Sequence, residues 1–150
     1  MPSDLRVLIV EDEMLLAMDI EALVEDCGHQ VSAQVASLDE FEELPSELEP
    51  QLAFVDVHLA QGSSGLDVCR RTTARWPRCL VVFLTANVSK IPADYCGGHG
   101  VIAKPFSQSG MVTAIDFLAD AISCPGVTKP RPAALTASPK FEQMLQVGQA

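Results

Sequence analysis

Four short apolar runs in this chain each end at side chains that could act on a phosphoryl group. Glu11 and Asp12 follow the first run, Asp56 ends the second, Thr85 follows the third and Lys104 follows the last. Asp56 is the most informative residue, because a carboxylate placed after the apolar residues L-A-F-V is costly to bury unless it is paired or bound to a metal. Each of the other residue types is common at strand ends and in loops, so the evidence lies in the set and its order.

Together these residues have the chemistry of a phosphoryl acceptor. Neighbouring carboxylates repel one another and favour a hard cation, and Mg²⁺ is suited to carboxylate and phosphate oxygens. With that charge screened, Asp56 can attack phosphorus and form an aspartyl phosphate. Lys104 supplies a mobile positive charge, and the Thr85 hydroxyl can donate to a second phosphoryl oxygen. Phosphoryl transfer requires little of a protein beyond this positioning and charge stabilisation.

The elements that would position these residues alternate between strand and helix. Apolar runs that are too short for helices predict strands at 5–10, 30–36, 52–57, 79–84 and 101–103. Continuously apolar strands joined by helices are typical of a parallel sheet covered on both faces, here a doubly wound α/β domain of five strands. In such a sheet the site lies at the carboxyl ends of the strands, so we expect the five residues above to converge.

The predicted helices begin and end at recognisable signals. The first has apolar residues at helical spacing and ends at Gly28, and the second begins at Ser37, which forms a capping box with Glu40. A third helix leads to Pro77, and a last helix begins at Ser107. A short, weakly patterned helix is predicted over residues 89–96.

The composition of the chain argues against several classes of function. The chain has 150 residues and a net charge of −10, which disfavours duplex DNA binding because that depends on Lys and Arg at phosphates. The five cysteines form no C-x-x-C pair, so neither a disulfide framework nor a zinc site is indicated. We find no membrane span or signal segment and predict a cytoplasmic protein.

The last part of the chain differs in composition. Several prolines interrupt a polar, alanine-rich segment after residue 124. We therefore predict a single folded domain over residues 1–124. Residues 125–150 are predicted to be a flexible tail or a short docking helix.

Four segments in order resemble the receiver domain of bacterial two-component response regulators: V-L-I-V-E-D-E, A-F-V-D-V, V-F-L-T-A and I-A-K-P-F. The resemblance runs from about residue 5 to 122, nearly the whole of the predicted domain. It implies a flavodoxin-like fold and Mg²⁺-dependent phosphoryl transfer to Asp56 from the phosphohistidine of a sensor histidine kinase or phosphotransfer protein. It also implies slow self-dephosphorylation rather than enzymatic turnover.

The resemblance also implies roles for individual residues. Glu11, Asp12 and Asp56 would be the metal carboxylates, with the main-chain carbonyl of His58 as a further ligand. Thr85 and Lys104 would contact the phosphoryl group, and the Lys104–Pro105 peptide would be cis. The output face would comprise the last helix, the fifth strand and the helix before that strand.

This sequence departs from the family pattern at two places. Val101 occupies the switch position three residues before the lysine, where receivers commonly have an aromatic residue. The loop after Asp56 reads H-L-A-Q-G-S-S-G, without the common Met-Pro pair. His58 and Asn87 occupy the variable positions that flank the path of an attacking water and should tune phosphate lifetime. His99 has no evident partner and is expected on the surface.

Three functions follow as hypotheses. The first is a single-domain response regulator that signals by contact with a downstream protein, by phosphorelay or by competition for a kinase, with homodimer formation left open. The alternative is a receiver-like interaction scaffold that is not phosphorylated. A hydrolase with an aspartyl-phosphate intermediate is a third possibility, but such enzymes generally have a second aspartate two residues after the nucleophile, where this chain has His58.

Overall fold

A mostly parallel sheet forms the centre of the protein. The computed structural model describes residues 4–126 and 129–147. The strands are β1 Arg6–Val10, β2 Gln30–Val35, β3 Leu52–Asp56, β4 Leu80–Thr85, β5 Gly100–Ala103 and β6 Leu135–Ala137. The helices are α1 Met14–Asp26, α2 Leu38–Glu42, α3 Gly65–Arg75, α4 Gln108–Ser123 and α5 Pro139–Val147.

The strand order is β2-β1-β3-β4-β5-β6, and all neighbouring pairs are parallel except β5 with β6. This confirms the α/β class and the doubly wound parallel arrangement. The order reverses at β1, with β2 on one side and β3 on the other, and this is the position where such sheets place their sites.

Helices cover both faces of the sheet. Side chains of α1, α4 and α5 pack on one face, and those of α2 and α3 pack on the other. The central strands β3 and β4 are buried along their whole length, which explains their uninterrupted apolar sequence. None of the helices within the described residues has the length and apolar character required to cross a lipid bilayer.

The predicted count of five strands is wrong, because the sheet formed by residues 4–126 and 129–147 has six. The additional strand, β6, comes from the segment that the sequence suggests is a tail, and it runs antiparallel along the edge of β5. The following helix, α5, places Phe141 in the core at 1% exposure, edge-on to Phe117 with 6.4 Å between ring centroids. Ser138 joins the two elements and is buried, with its hydroxyl donating to the Gly98 carbonyl at 3.0 Å.

The prediction of a helix over residues 89–96 is also wrong. Two 3-10 turns, Val88–Lys90 and Tyr95–Gly97, take its place between β4 and β5. Tyr95 and Cys96 have φ angles of 54° and 52°, in the left-handed region that a right-handed helix excludes. Pro92 removes one donor, and the Asp94 carboxylate accepts from the Cys96 N–H at 3.0 Å, so the chain turns here instead of forming a helix.

His99 is buried, contrary to the expectation from sequence. Its side chain is 2% exposed, and its Nδ1 atom accepts a hydrogen bond from the Val81 N–H at 3.0 Å. Burial, with a smaller contribution from the charge of Lys140, lowers the pKa of His99 to about 4. The ring is therefore neutral at physiological pH and acts as a structural acceptor between β4 and β5.

Candidate phosphoryl-acceptor site

Three carboxylates and one lysine meet at the carboxyl ends of the strands. Carboxylate oxygens of Glu11, Asp12 and Asp56 all lie within 4.8 Å of one another. The Lys104 Nζ atom is 3.1 Å from Glu11 Oε2 and 3.2 Å from Asp56 Oδ2. Residues from three different strand ends thus converge as the parallel arrangement predicts.

The main chain holds the two buried carboxylates in place. Glu11 is 4% exposed, and its Oε1 atom accepts from the Glu13 N–H at 3.1 Å. Asp56, the last residue of β3, is 6% exposed, and its Oδ1 atom accepts from the His58 N–H at 3.1 Å. Asp12 is exposed at the mouth of the cluster.

The cluster carries more negative charge than Lys104 can neutralise. Burial, followed by the charge of Asp56, raises the pKa of Glu11 to about 7, although Lys104 and the Glu13 N–H oppose this shift. Burial acts to lower the pKa of Lys104, but its contacts with Glu11 and Asp56 outweigh burial and raise that pKa overall. An oxygen-rich site that favours partial protonation has the donor set that suits a small divalent cation.

Thr85 lies on the strand next to Asp56 and is 1% exposed. Its main-chain carbonyl accepts from the Lys104 N–H at 2.8 Å, which ties the ends of β4 and β5 together. Its hydroxyl is engaged by the next loop, accepting from the Asn87 N–H at 3.0 Å and donating to the Asn87 carbonyl at 3.4 Å. The peptide between Lys104 and Pro105 is cis.

The positions singled out in the sequence as variable differ in burial. The side chains of His58 and Asn87 are exposed beside the cluster. Val101 is 2% exposed in β5, paired with Phe83 on one side and with Thr136 of β6 on the other. Its small side chain is buried in the core on the face that α2 and α3 cover.

Sequence reasoning missed one residue that shapes the site. Gly65, the first residue of α3, passes so close to β3 that a Cβ atom there would lie 1.9 Å from the Asp56 carbonyl oxygen. Its N–H donates to the Val57 carbonyl at 2.9 Å, and Ser64 caps the helix by accepting from the Leu66 N–H at 3.1 Å. The G-S-S-G motif contains this glycine, but the approach of the two backbones is visible only in three dimensions.

A family model described as the response regulator receiver domain matches residues 7–116. The chain belongs to this family of receiver domains. Over 116 residues it is 37% identical to the phyllosphere-induced regulator PhyR of Methylorubrum extorquens, a match that covers 73% of this chain and 42% of that protein.

Solved structures agree with this assignment. The PhyR receiver domain of Erythrobacter litoralis is 28% identical with a TM-score of 0.68, covering 84% of this chain and 98% of that one. PhyR from Bartonella quintana, described as an anti-anti-sigma factor, is 33% identical with a TM-score of 0.62, covering 78% of this chain and 47% of that one. The chain thus spans less than half the length of the Methylorubrum and Bartonella PhyR proteins, and nearly all of the isolated Erythrobacter receiver domain.

Proposed function

We propose that this protein is a phosphoacceptor response regulator in which Asp56 receives a phosphoryl group from a sensor histidine kinase or phosphotransfer protein. The observation that carries this proposal is the shared contact of Lys104 with Glu11 and Asp56, beside the carboxylate of Asp12. Such a cluster has the parts that phosphoryl transfer requires: a nucleophile, a place for a cation and a mobile positive charge.

The geometry favours Asp56 Oδ2 as the attacking atom. Oδ1 accepts a main-chain hydrogen bond from His58, whereas the partner of Oδ2 is the Lys104 ammonium, which can move. In the transfer step Oδ2 bonds to phosphorus as the phosphorus–nitrogen bond of the donor phosphohistidine breaks, and the electron pair of that bond stays on the imidazole nitrogen. The Lys104 ammonium then moves to contact a phosphoryl oxygen.

The carboxylates fit Mg²⁺. Glu11, Asp12 and Asp56 would hold the ion, with the His58 main-chain carbonyl as the ligand implied by family resemblance. When bound, the ion neutralises charge on the phosphoryl oxygens and on the acidic cluster. Loss of the proton that Glu11 tends to retain would accompany metal binding.

Thr85 and the neighbouring loop would detect the phosphoryl group. The Thr85 hydroxyl would turn from the Asn87 carbonyl toward a phosphoryl oxygen, releasing one contact of the segment between β4 and β5. Val101 is too small to follow this movement as an aromatic ring would, so we assign the response to that segment. The exposed His58 and Asn87 would set phosphate lifetime, with slow self-dephosphorylation.

The output would be contact with a downstream protein or phosphorelay in the cytoplasm, with homodimerisation as a further route. Residues 1–124 would form the receiver unit, and residues 125–150 would add an element on its output side, because β6 lies along β5. A phosphoryl group adds roughly −1.5 to −2 charges, enough to bias a two-state surface.

A second candidate function is a receiver-like scaffold that acts without phosphorylation. Val101 at the switch position favours it, because the usual aromatic signal path is missing. The description of the Bartonella relative as an anti-anti-sigma factor is consistent with output by protein contact in either case.

Phosphorylation by acetyl phosphate in the presence of Mg²⁺, followed by intact-mass measurement, tests the proposal. Wild type should gain one phosphoryl group, Asp56→Asn should gain none, and both should fold. Asp67→Asn is the matched control, since this exposed carboxylate pairs with Arg70 and is not part of the acidic cluster.

Three results would contradict parts of the proposal. A folded wild type that gains no mass would favour the scaffold. Phosphorylation retained in Asp56→Asn would identify another acceptor. Full phosphorylation in excess EDTA would refute the metal role.

A further inference from the structure

A groove of about 910 Å³ lies at the end of the sheet opposite Asp56, where β4 begins. Ile122, Met144 and Leu145 contribute apolar surface that is at least partly exposed, and α5 forms one wall. Its size is within the range of about 300–1,000 Å³ that is usual for small-molecule sites. The groove is remote from the acidic cluster and shares no residue with it.

Positive charge is concentrated along this groove. Six of the ten Lys and Arg residues of the chain line it, against two carboxylates, although the chain as a whole has a net charge of −10. The six are Arg6, Arg75, Arg78, Lys129, Arg131 and Lys140. A cleft lined by one sign of charge focuses its field and attracts ligands of the opposite sign.

Several of these cations are held in place and still have donors to offer. Arg131 forms a two-point contact with Glu142 through Nε and Nη2 at 3.1 and 3.0 Å, and Arg6 donates from Nε to the Glu49 carbonyl at 3.0 Å. A guanidinium has five N–H donors, so three remain free on Arg131 and four on Arg6. Arg78 has no ion pair or hydrogen bond from its side chain among the described residues and is the cation most available to a ligand.

A buried polar side chain also lines the groove. His99 lines it, and because Nδ1 accepts from the Val81 N–H, the neutral ring carries its proton on Nε2. Nε2 forms no hydrogen bond within the described residues. Every side-chain nitrogen or oxygen that is fully enclosed there has a hydrogen-bond partner, so Nε2 is not fully enclosed. Nε2 therefore keeps a small accessible area in a residue that is 2% exposed and that lines the groove.

From these observations we infer that the groove binds a small organic anion with an apolar body. The anionic group lies against Arg78 and the neighbouring cations on the side of the groove that His99 lines, and the body packs on Met144 and Leu145. Phosphate or carboxylate on an aromatic or alkyl body meets this description. The inference is independent of phosphorylation at Asp56.

Binding of a fluorescent anion tests it. The dye 1-anilinonaphthalene-8-sulfonate has an anionic group on an aromatic body, and N-phenyl-1-naphthylamine has the same body without the charge. We expect one site for the sulfonate dye and binding of the neutral dye at least ten times weaker, a difference of about 1.4 kcal/mol. Quenching of Trp76, the single tryptophan and a groove residue, gives a second readout.

Matched variants locate the site. The double variant Arg78→Gln/Lys140→Gln should raise the Kd of the sulfonate dye at least tenfold, whereas Arg70→Gln, an exposed arginine outside the groove, should not change it. Met14, Leu15 and Met18 of α1 are exposed apolar residues outside the groove that could also bind a dye, so Leu15→Ser is a second control and should also leave binding unchanged.

Equal binding of the two dyes would overturn the inference, as would an unchanged Kd in the double variant or loss of binding in Leu15→Ser. Competition then separates the ligand classes. Displacement by adenosine monophosphate indicates an aromatic body and displacement by octanoate an alkyl body, while displacement by neither at millimolar concentration would overturn the proposed class.

Discussion

Replacing Gly65 by alanine should slow phosphorylation by more than the loss of stability alone explains. The new Cβ would stand 1.9 Å from the Asp56 carbonyl oxygen, and real Cβ atoms essentially never approach closer than 3.0 Å. The start of α3 and the end of β3 must therefore separate by about 1.1 Å, the difference between these distances. Asp56 pairs with Leu84 of β4, but β1 pairs with β3 only as far as Val55, so the displacement falls on the acceptor and on the loop that leads to His58.

Two magnitudes follow from this displacement. Forcing an extra carbon into a packed site costs about 1–3 kcal/mol of stability. A misplacement of about 1 Å in reacting groups can reduce a rate by about 100-fold. We therefore expect phosphorylation of Gly65→Ala by acetyl phosphate to be slower than wild type by about that factor, measured by intact mass against time.

Gly28→Ala is the control for lost stability. Gly28 has a φ of +90°, and no atom lies within 4 Å of the position that a Cβ would take, so alanine there suffers backbone strain of about 1–2 kcal/mol without a clash. Its stability should fall by a similar amount while its phosphorylation rate stays at the wild-type value. If folded Gly65→Ala is phosphorylated within twofold of wild type, the close approach does not position Asp56 and the reasoning is refuted.

Three further outcomes are expected. Phe141→Ala should lower the free energy of unfolding by about 3–5 kcal/mol, because this ring is buried, whereas the half-exposed Met144→Ala should have little effect in the same denaturant titration. Between pH 6.5 and 4 the unfolded chain protonates His99 while the folded protein keeps it neutral, so stability should fall by up to about 3 kcal/mol as the pH decreases. His99→Asn, which retains an acceptor for the Val81 N–H, should reduce this dependence of stability on pH. An unchanged pH dependence would contradict the conclusion that the folded protein keeps His99 neutral. Mg²⁺ should bind more weakly below pH 7, where a proton competes for Glu11, and calorimetric titrations with equal affinity at pH 6 and 8 would contradict this.

The convergence of the acidic residues was predictable because it depends on simple rules. Apolar runs identify parallel strands, and the carboxyl ends of parallel strands share one edge of the sheet. Glu11, Asp56 and Lys104 could therefore be brought together from their positions alone, and their contacts of 3.1 and 3.2 Å agree with that expectation.

Features that depend on close packing between distant segments were not predictable in this way. β6 has three residues, too few for a period-two pattern, and it forms because the edge of β5 is available. The burial of His99 depends on its partner Val81 in another strand, and the constraint on Gly65 depends on the path of β3. None of these relations has a local signal in the sequence.

The sixth strand also determines how the sheet meets other chains. An exposed edge at β5, with the apolar sequence G-V-I-A, would offer unpaired main-chain groups to a second molecule. β6 occupies those groups and presents an outer edge of three residues, and Pro132 and Pro139 near its ends prevent that edge from lengthening. At the far side, β2 pairs through a register shift and carries polar residues, which also discourages strand addition. Both edges are thereby protected against intermolecular strand exchange, so a homodimer built on β5 would first have to displace β6.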